Sequence, residues 1–243
     1  MHLNEITPNK NLLKKFKSEI DFALDKYNKG IVIYRGSETY EDNIIRYIDP
    51  TLRPTDRKSA NTFNYYTLWM SNNLDWSKYP KRNRSLICTT DLYTSQDYGE
   101  PTIVVPLMNC KIGVCPTSDL WQSFKLVPQI GSFIDDLSFW FDQKWPDEDN
   151  DDLTYQELLI KLKNFTPIDC TRDCRLKQLL DRFNNAEELM QAIFNPIENN
   201  FKLLSWKQFN IKGTRELWLS AHCLIINITT FEKLATEQKN ASK

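Results

Sequence analysis

The stretch Ile31-Val32-Ile33-Tyr34-Arg35-Gly36 is an apolar run that ends in a charged residue and a glycine. Consecutive β-branched and aromatic residues are typical of a buried strand, so we expect a strand over residues 31–34 that Arg35 closes. Before it, apolar residues recur at three- and four-residue steps, which predicts an amphipathic helix over residues 10–29. Gly30 follows that helix at the position of a left-handed cap.

Short apolar runs elsewhere predict further strands, at 85–89, 102–106, 111–115, 216–219 and 223–228. The last two are interpreted as a strand pair. Helical spacing predicts helices at 133–145, 154–164, 172–183, 185–195 and 230–238, with a short one near 95–98. Asn185 is the expected N-cap of its helix, with Glu188 completing a capping box. Strands at both ends with helices between them predict an α+β chain with a split mixed β-sheet.

Composition excludes several classes of protein. The chain has 243 residues, of which 41% are apolar and 26% charged, with a formal net charge of -1. These values argue against a disordered or collagen-like chain. No apolar run approaches the ~18–20 residues that cross a bilayer, and the first residues lack the apolar core of a secretory signal. We therefore expect a soluble, intracellular protein with no membrane partner.

Cysteine and histidine are sparse. The six cysteines are Cys88, Cys110, Cys115, Cys170, Cys174 and Cys223, and His2 and His222 are the two histidines. No CxxC spacing occurs, so a zinc site has little support and no metal is expected. The i, i+4 spacing of Cys170 and Cys174 would fit one helix face. We expect free thiols in a reducing compartment.

Charge is unevenly distributed along the chain. Residues 1–84 carry fifteen Lys and Arg against ten Asp and Glu, and residues 135–157 hold nine acidic residues against Lys144. In the first region Arg53, Arg57, Lys58, Asn61, Asn64 and Tyr65 lie close together, and Lys78, Lys81, Arg82 and Arg84 follow. That set is either a solvated loop or a rim that faces the phosphates of a nucleotide cofactor or of nucleic acid. The acidic stretch is interpreted as a solvated face.

Three polar motifs follow one another at strand ends. Arg35 closes the first strand, Cys88-Thr89-Thr90 closes the second, and Glu216 opens a late strand after the loop 209–213. An arginine binds pyrophosphate with a forked pair of donors, and a carboxylate stabilises a developing cation. Their order along the chain is more informative than any one of them.

That order resembles the ADP-ribosyltransferase superfamily, in its arginine–serine–glutamate branch. The motifs are Tyr34-Arg35-Gly36, then Cys88-Thr89-Thr90 with Ser95-Gln96-Asp97-Tyr98-Gly99, and last Thr214-Arg215-Glu216-Leu217-Trp218. The resemblance covers residues 31–36, 85–106 and 205–228. Cys88 stands where the family usually has a serine, so the ribose-orienting role is expected at Thr89 or Thr90, or at Cys88 itself. Thr214 stands where arginine-modifying members have glutamate, which weakens arginine as the acceptor.

The resemblance implies mono-ADP-ribosyl transfer with NAD as co-substrate and release of nicotinamide. It implies Glu216 as the catalytic residue and a cofactor site made of Arg35, Gly36, Cys88, Thr89, Thr90, Tyr98 and Thr214. Tyr93 is an alternative to Tyr98 for stacking on nicotinamide. The acceptor would be a host protein or a nucleic acid. The whole chain, 1–243, is expected to be one ADP-ribosyltransferase-like domain with a helical insertion at 116–200.

Other functions stay open. The chain could be a non-catalytic NAD-binding or structural protein that keeps the fold, and Cys88 and Thr214 favour that alternative. A cysteine hydrolase using Cys88 and His222 is the third possibility. The Asn- and Lys-rich composition, with the toxin-like reaction, suggests a phage or bacterial effector that acts in a bacterial cytoplasm.

Overall fold

The computed structural model describes residues 9–37, 45–52, 57–58, 62–107, 109–150 and 153–241. Within these ranges the chain is α+β, as predicted, with nine α-helices and eight strands. The strands are β1 Tyr34–Ser37, β2 Ile45–Ile48, β3 Leu86–Thr89, β4 Glu100–Pro106, β5 Lys111–Val114, β6 Lys202–Ser205, β7 Glu216–Leu219 and β8 Cys223–Asn227. The helices are α1 Asn9–Lys15, α2 Lys17–Tyr27, α3 Tyr65–Asn72, α4 Leu92–Gln96, α5 Ile130–Lys144, α6 Tyr155–Asn164, α7 Arg175–Leu180, α8 Ala186–Ile193 and α9 Ile228–Ala241.

The eight strands form one sheet in the order β2-β8-β4-β1-β3-β7-β5-β6. The sheet is antiparallel in every pairing whose register is described, so the prediction of a mixed sheet was wrong. The β1–β3 pairing is the shortest of these, with one register pair, Tyr34 opposite Thr89.

The chain folds into two compact units. The sheet unit comprises Met1–Pro54, Arg84–Val114 and Leu203–Lys243, and the helical unit comprises Thr55–Asn83 and Cys115–Lys202. The expected single domain with an insertion at 116–200 stays a prediction.

The predicted helix over residues 10–29 is two helices, α1 and α2, which are interrupted at Phe16. The backbone of Phe16 leaves the helical region, with φ −111° and ψ 30°. Its ring remains in the core of the sheet unit, where Ile20 and Leu24 are also buried. Gly30 has φ +73°, which confirms the predicted left-handed residue after the helix.

The first strand lies further along the chain than its composition predicts. Residues 31–33 precede the strand, and β1 runs through Arg35 and Gly36 to Ser37. The reason is tertiary: the whole of β1 pairs with β4, from Tyr34 opposite Ile103 to Ser37 opposite Glu100. Arg35 is therefore inside the strand and does not close it.

The predicted pairing of 216–219 with 223–228 is wrong. Both segments are strands, but β7 pairs with β3 and β5, whereas β8 pairs with β2 and β4. Leu217, Trp218 and Leu219 are fully buried, and Cys223, Leu224 and Ile226 are as well. Each strand already has a neighbour on both edges, so neither has an edge left to pair with the other.

The helical unit follows its periodic sequence closely. The predicted helices at 133–145 and 154–164 correspond to α5 and α6, and Thr154 forms a capping box with Glu157 at the start of α6. Asn185 caps α8 by accepting from the Glu188 backbone N–H at 3.0 Å, as predicted. The Glu188 carboxylate instead accepts from Asn184, so the predicted reciprocal bond is absent at this cap.

No helix in the described part of the chain combines the length and the apolar character required to span a membrane.

Candidate functional site

The three predicted motifs lie on adjacent strands of the sheet unit. Arg35 is on β1, Thr89 ends β3 and Glu216 begins β7, and these strands are neighbours in the sheet. Thr89 is the register partner of Glu216. Directly paired residues project from the same face with Cβ atoms about 4.5–5.5 Å apart, so these two side chains start as neighbours.

Arg35 contacts β3 through its side chain. Its Nη1 donates to the Ile87 carbonyl oxygen at 2.5 Å, and its own carbonyl accepts from Thr102 Oγ1 at 2.8 Å. Tyr34 is the register partner of Thr89, so Tyr34 shares the face of Thr89 and Glu216, and strand alternation starts Arg35 on the opposite face. The guanidinium meets β3 at Ile87, two residues, or roughly 7 Å along a strand, before Thr89.

Thr90 holds the backbone that leads into Glu216. Its Oγ1 donates to the Gly213 carbonyl at 2.6 Å and accepts from the Arg215 N–H at 2.8 Å. Its N–H donates to the Arg215 carbonyl at 3.0 Å. Thr214 lies within this segment and is half-buried. Thr90 therefore positions the segment 213–215 rather than presenting an unused hydroxyl.

The other two members of the hydroxyl and thiol run face opposite sides of β3. Thr89 is on the face of Glu216, and its Oγ1 accepts from the Asp91 N–H at 3.1 Å, which leaves its hydroxyl proton to be donated. Cys88 is 4% exposed and packs in the hydrophobic core with Leu86 and Leu217. Of the three, Thr89 is thus the residue that shares the face of Glu216, and its side chain is 6% exposed.

Gly36 is required by the close approach of α4. A Cβ at this position would lie 2.6 Å from the Tyr98 carbonyl oxygen and would also collide with the Ser95 carbonyl oxygen. Tyr98 itself is 73% exposed and Tyr93 is 76% exposed. Both rings are open to solvent, so the structure does not distinguish between them as stacking residues.

A cleft of about 500 Å³ opens where α2 ends and β1 begins. We call it the lysine–tyrosine cleft, after Tyr27, Lys29, Tyr34 and Lys212, which line it. Thr90 and Gly213 also border it, so it adjoins the backbone that precedes Glu216. Sequence reasoning missed Tyr27, Lys29 and Lys212. The signal that could have found the two lysines is the glycine that directly follows each of them, Gly30 and Gly213.

The phenols of Tyr27 and Tyr34, which line this cleft, lie near the Glu232 carboxylate. The Tyr27 hydroxyl donates to Glu232 Oε1 of α9 at 3.4 Å. Burial, together with Tyr27, Glu232 and Asp91, raises the pKa of Tyr34. Both phenols therefore keep their protons at neutral pH and act as hydrogen-bond donors.

A buried lysine ties α2 to the segment before Glu216. Lys26 is 8% exposed, and its Nζ donates to the Phe209 carbonyl at 2.5 Å while lying 5.0 Å from the ring centre of Trp206. Burial, and secondarily the charge of Lys29, lowers the pKa of Lys26. Sequence reasoning missed this residue, because one lysine in a lysine-rich helix carries no sign of burial.

The structure excludes some members of the basic set within residues 53–84 from a surface rim. Arg53 and Asn61 lie outside the described residues. Tyr65 is fully buried in the helical unit, where its hydroxyl donates to the Asn150 carbonyl at 2.6 Å. Arg82 is also buried. A surface rim cannot include these two side chains.

The cysteine hydrolase is not supported. Cys88 is on β3 and His222 directly precedes β8, with β4 and β1 between these strands. Three interstrand steps separate them by roughly 14 Å, which is too far for proton transfer. His222 instead shares a hydrogen bond of 2.5 Å with the Tyr47 hydroxyl.

The six cysteines are free thiols, as predicted. Cys170 and Cys174 do not share a helix face, because Cys170 follows a 3₁₀ turn and Cys174 is the N-cap of α7. In the described ranges no three His, Cys, Asp or Glu side chains are grouped so that they could hold a metal ion.

Comparison with protein-family models found no match, and comparisons with curated proteins and with solved structures likewise found none.

Proposed function

We propose that this protein is an NAD-dependent mono-ADP-ribosyltransferase with a sheet of the ADP-ribosyltransferase type. One observation carries the proposal: Arg35, Thr89 and Glu216 come from remote parts of the chain and lie on three adjacent strands. Each has the chemistry that one part of NAD requires.

The reaction replaces the bond between nicotinamide and ribose. The acceptor atom bonds to C1′ of the ribose, the C1′–nitrogen bond breaks, and nicotinamide leaves as a neutral molecule with the bonding electron pair. The acceptor then loses its proton to water or to a carboxylate. Positive charge develops on the ribose in the transition state, so a nearby carboxylate lowers the barrier.

In this proposal Glu216 stabilises that cation and accepts a hydrogen bond from the ribose 2′-hydroxyl. Arg35 binds the pyrophosphate with its forked donors. Thr89 donates to the ribose or to Glu216, and Thr90 and Thr214 hold the local backbone in register. Gly36 lets α4 approach the site, and Tyr98, or Tyr93 in its place, covers nicotinamide. Cys88 is assigned no contact with NAD, because it packs in the core.

NAD is consumed as a co-substrate, and the residues in these roles require no metal. The proposed acceptor is a host protein or a nucleic acid, modified in a bacterial cytoplasm. Water would replace the acceptor in a slow NAD hydrolysis.

The test is Glu216→Gln, which keeps the size of the side chain and removes its charge. We expect nicotinamide release from NAD to fall at least a hundredfold, the order that loss of one transition-state electrostatic contact costs. The matched control is Glu237→Gln, on the exposed side of α9. Arg35→Lys should mainly raise KM, because it keeps the charge and loses the fork. Equal release by wild type and Glu216→Gln would refute the proposal.

A non-catalytic NAD-binding protein is the second candidate, favoured by the burial of Cys88 where the family has a serine. Titration calorimetry separates the two. Heat of NAD binding without nicotinamide release identifies a binding protein, and no heat at all leaves a structural role.

A further inference from the structure

The lysine–tyrosine cleft carries positive charge that the fold does not neutralise. Lys29 and Lys212 are exposed at its edge, and neither makes an ion pair with any residue that the structure describes. Lys26 adds a buried ammonium near Lys29. Among the described residues, two carboxylates lie near the lining: Glu232 accepts from the Tyr27 hydroxyl, and Asp91 is close enough to raise the pKa of Tyr34. The net charge around the cleft is therefore positive and suits an anionic ligand.

The same cleft offers neutral donors and aromatic faces. The Tyr34 hydroxyl forms no hydrogen bond with another described residue, so it can donate to a ligand. The rings of Tyr27 and Tyr34 are half-buried and line the cleft. Lysines that interleave with tyrosines match a nucleic-acid strand, in which phosphates alternate with planar bases. An acidic peptide would use the lysines and leave the aromatic faces unused.

The cleft also has room for such a ligand. Gly30 and Gly213 have φ values of +73° and +79°, and no atom lies within 4 Å of the position that a Cβ would take on either. Its volume of about 500 Å³ is within the usual range for small-ligand sites. Gly213 is three residues before Glu216, so a nucleotide held here would lie close to the proposed reacting ribose.

We propose that the lysine–tyrosine cleft binds a phosphate and the adjoining base of single-stranded nucleic acid, and that this nucleic acid is the ADP-ribose acceptor. The acceptor role of the nucleic acid rests on the proposed function, whereas its binding to the cleft does not depend on that function. A base nitrogen or a sugar hydroxyl oxygen of the bound strand bonds to C1′, nicotinamide leaves with the electron pair of the broken bond, and the acceptor proton passes to solvent or to Glu216.

The experiment measures binding of a fluorescein-labelled single-stranded oligodeoxythymidine by anisotropy, without NAD, over a range of salt concentrations. The test variant is Lys29→Gln with Lys212→Gln, and the matched control is Lys111→Gln with Lys239→Gln, two exposed lysines of the same unit that do not line the cleft. We expect at least tenfold weaker binding by the test variant and no change in the control. Loss of the contacts to one phosphate should also reduce the slope of log affinity against log salt by about 0.7.

Three outcomes would overturn the inference. Equal binding by the test and control variants removes the cleft as the site. Displacement of the oligonucleotide by NAD identifies the cleft as part of the NAD site. Binding of a labelled polyglutamate peptide as tightly as the oligonucleotide identifies an acidic protein as the ligand.

Nicotinamide release and transfer of label from tagged NAD are measured on the same samples. Nicotinamide release by a protein that binds no oligonucleotide overturns the inference and leaves the proposed function intact. Oligonucleotide binding that is lost in the test variant, with no nicotinamide release, supports the binding site and overturns its role as an acceptor site. Labelled oligonucleotide product from wild type, reduced in the test variant, supports both.

Discussion

A methyl group added at residue 36 is expected to separate β1 from α4. The Gly36→Ala side chain would meet the backbone carbonyls of Ser95 and Tyr98, and backbone atoms cannot move as a flexible side chain can. We expect a loss of about 1–3 kcal/mol in the free energy of unfolding, measured with urea. Gly30→Ala is the control: it meets no atom within 4 Å and costs only the strain of a positive φ, about 1 kcal/mol. A smaller loss at Gly36 than at Gly30 would contradict the described contact.

The hydroxyl of Thr90 is expected to matter more than its methyl group. Thr90→Val removes both the donor to the Gly213 carbonyl and the acceptor for the Arg215 N–H. We expect a loss of about 1–2 kcal/mol in unfolding free energy and faster amide hydrogen exchange at Arg215. Thr90→Ser keeps the hydroxyl and should retain slow exchange. Slow exchange in the valine variant would show that the ladder alone holds this segment.

At the scale of elements, Lys26 links helix α2 to the segment that precedes β7, and this link should depend on pH. The pKa of Lys26 is lowered by burial from its ordinary value of 10.5, so between its folded pKa and 10.5 the unfolded chain binds more protons than the folded one. Wild type should therefore gain unfolding free energy relative to Lys26→Met as pH rises through that window, and the difference should be constant below it.

Urea unfolding of both proteins across that pH range is the measurement, with Lys14→Met as the control because Lys14 is exposed on α1. The control should follow wild type at each pH. A difference between wild type and Lys26→Met that does not change on approaching pH 10.5 would mean that the ammonium is as well solvated in the folded protein as in the unfolded chain.

For the whole molecule, the two compact units lead us to expect unfolding in two steps. Leu217 is fully buried in the sheet unit, and Leu158 is fully buried in the helical unit. Leu217→Ala and Leu158→Ala should each cost about 2–5 kcal/mol and lower the temperature of a different transition in calorimetry. A single transition that both variants lower equally would show that the chain unfolds as one cooperative unit.

Helices α5 to α8 were predictable because their signals are local, whereas α3 was not predicted. The apolar faces of α5 and α6 recur along a few turns, and Asn185 and Thr154 cap the residues that follow them directly. The strands β2 and β6 were missed for the opposite reason. Each has four residues, and β2 is a strand because it pairs with β8, far along the chain.

The candidate site shows the same division. Arg35, Thr89 and Glu216 were all singled out from residue type and order. Which member of the run 88–90 faces Glu216 was left open, because a shift of one residue in register exchanges the two faces of a strand. The observed pairing of Thr89 with Glu216 resolves it. The lysine–tyrosine cleft could not be predicted either, since its two lysines are 183 positions apart.

Residue order alone was sufficient to predict the α+β class, helices α5 to α8 of the helical unit, the left-handed Gly30 and the chemical types gathered in the three motifs, because propensity, periodicity and capping act over a few residues. Long-range pairing decided the rest: that β1, β3 and β7 are neighbours, that Cys88 faces the core, and that Lys26 is buried against the Phe209 carbonyl. Those outcomes depend on which distant segments satisfy each other's backbone hydrogen bonds and apolar faces, and only the folded chain brings such segments together.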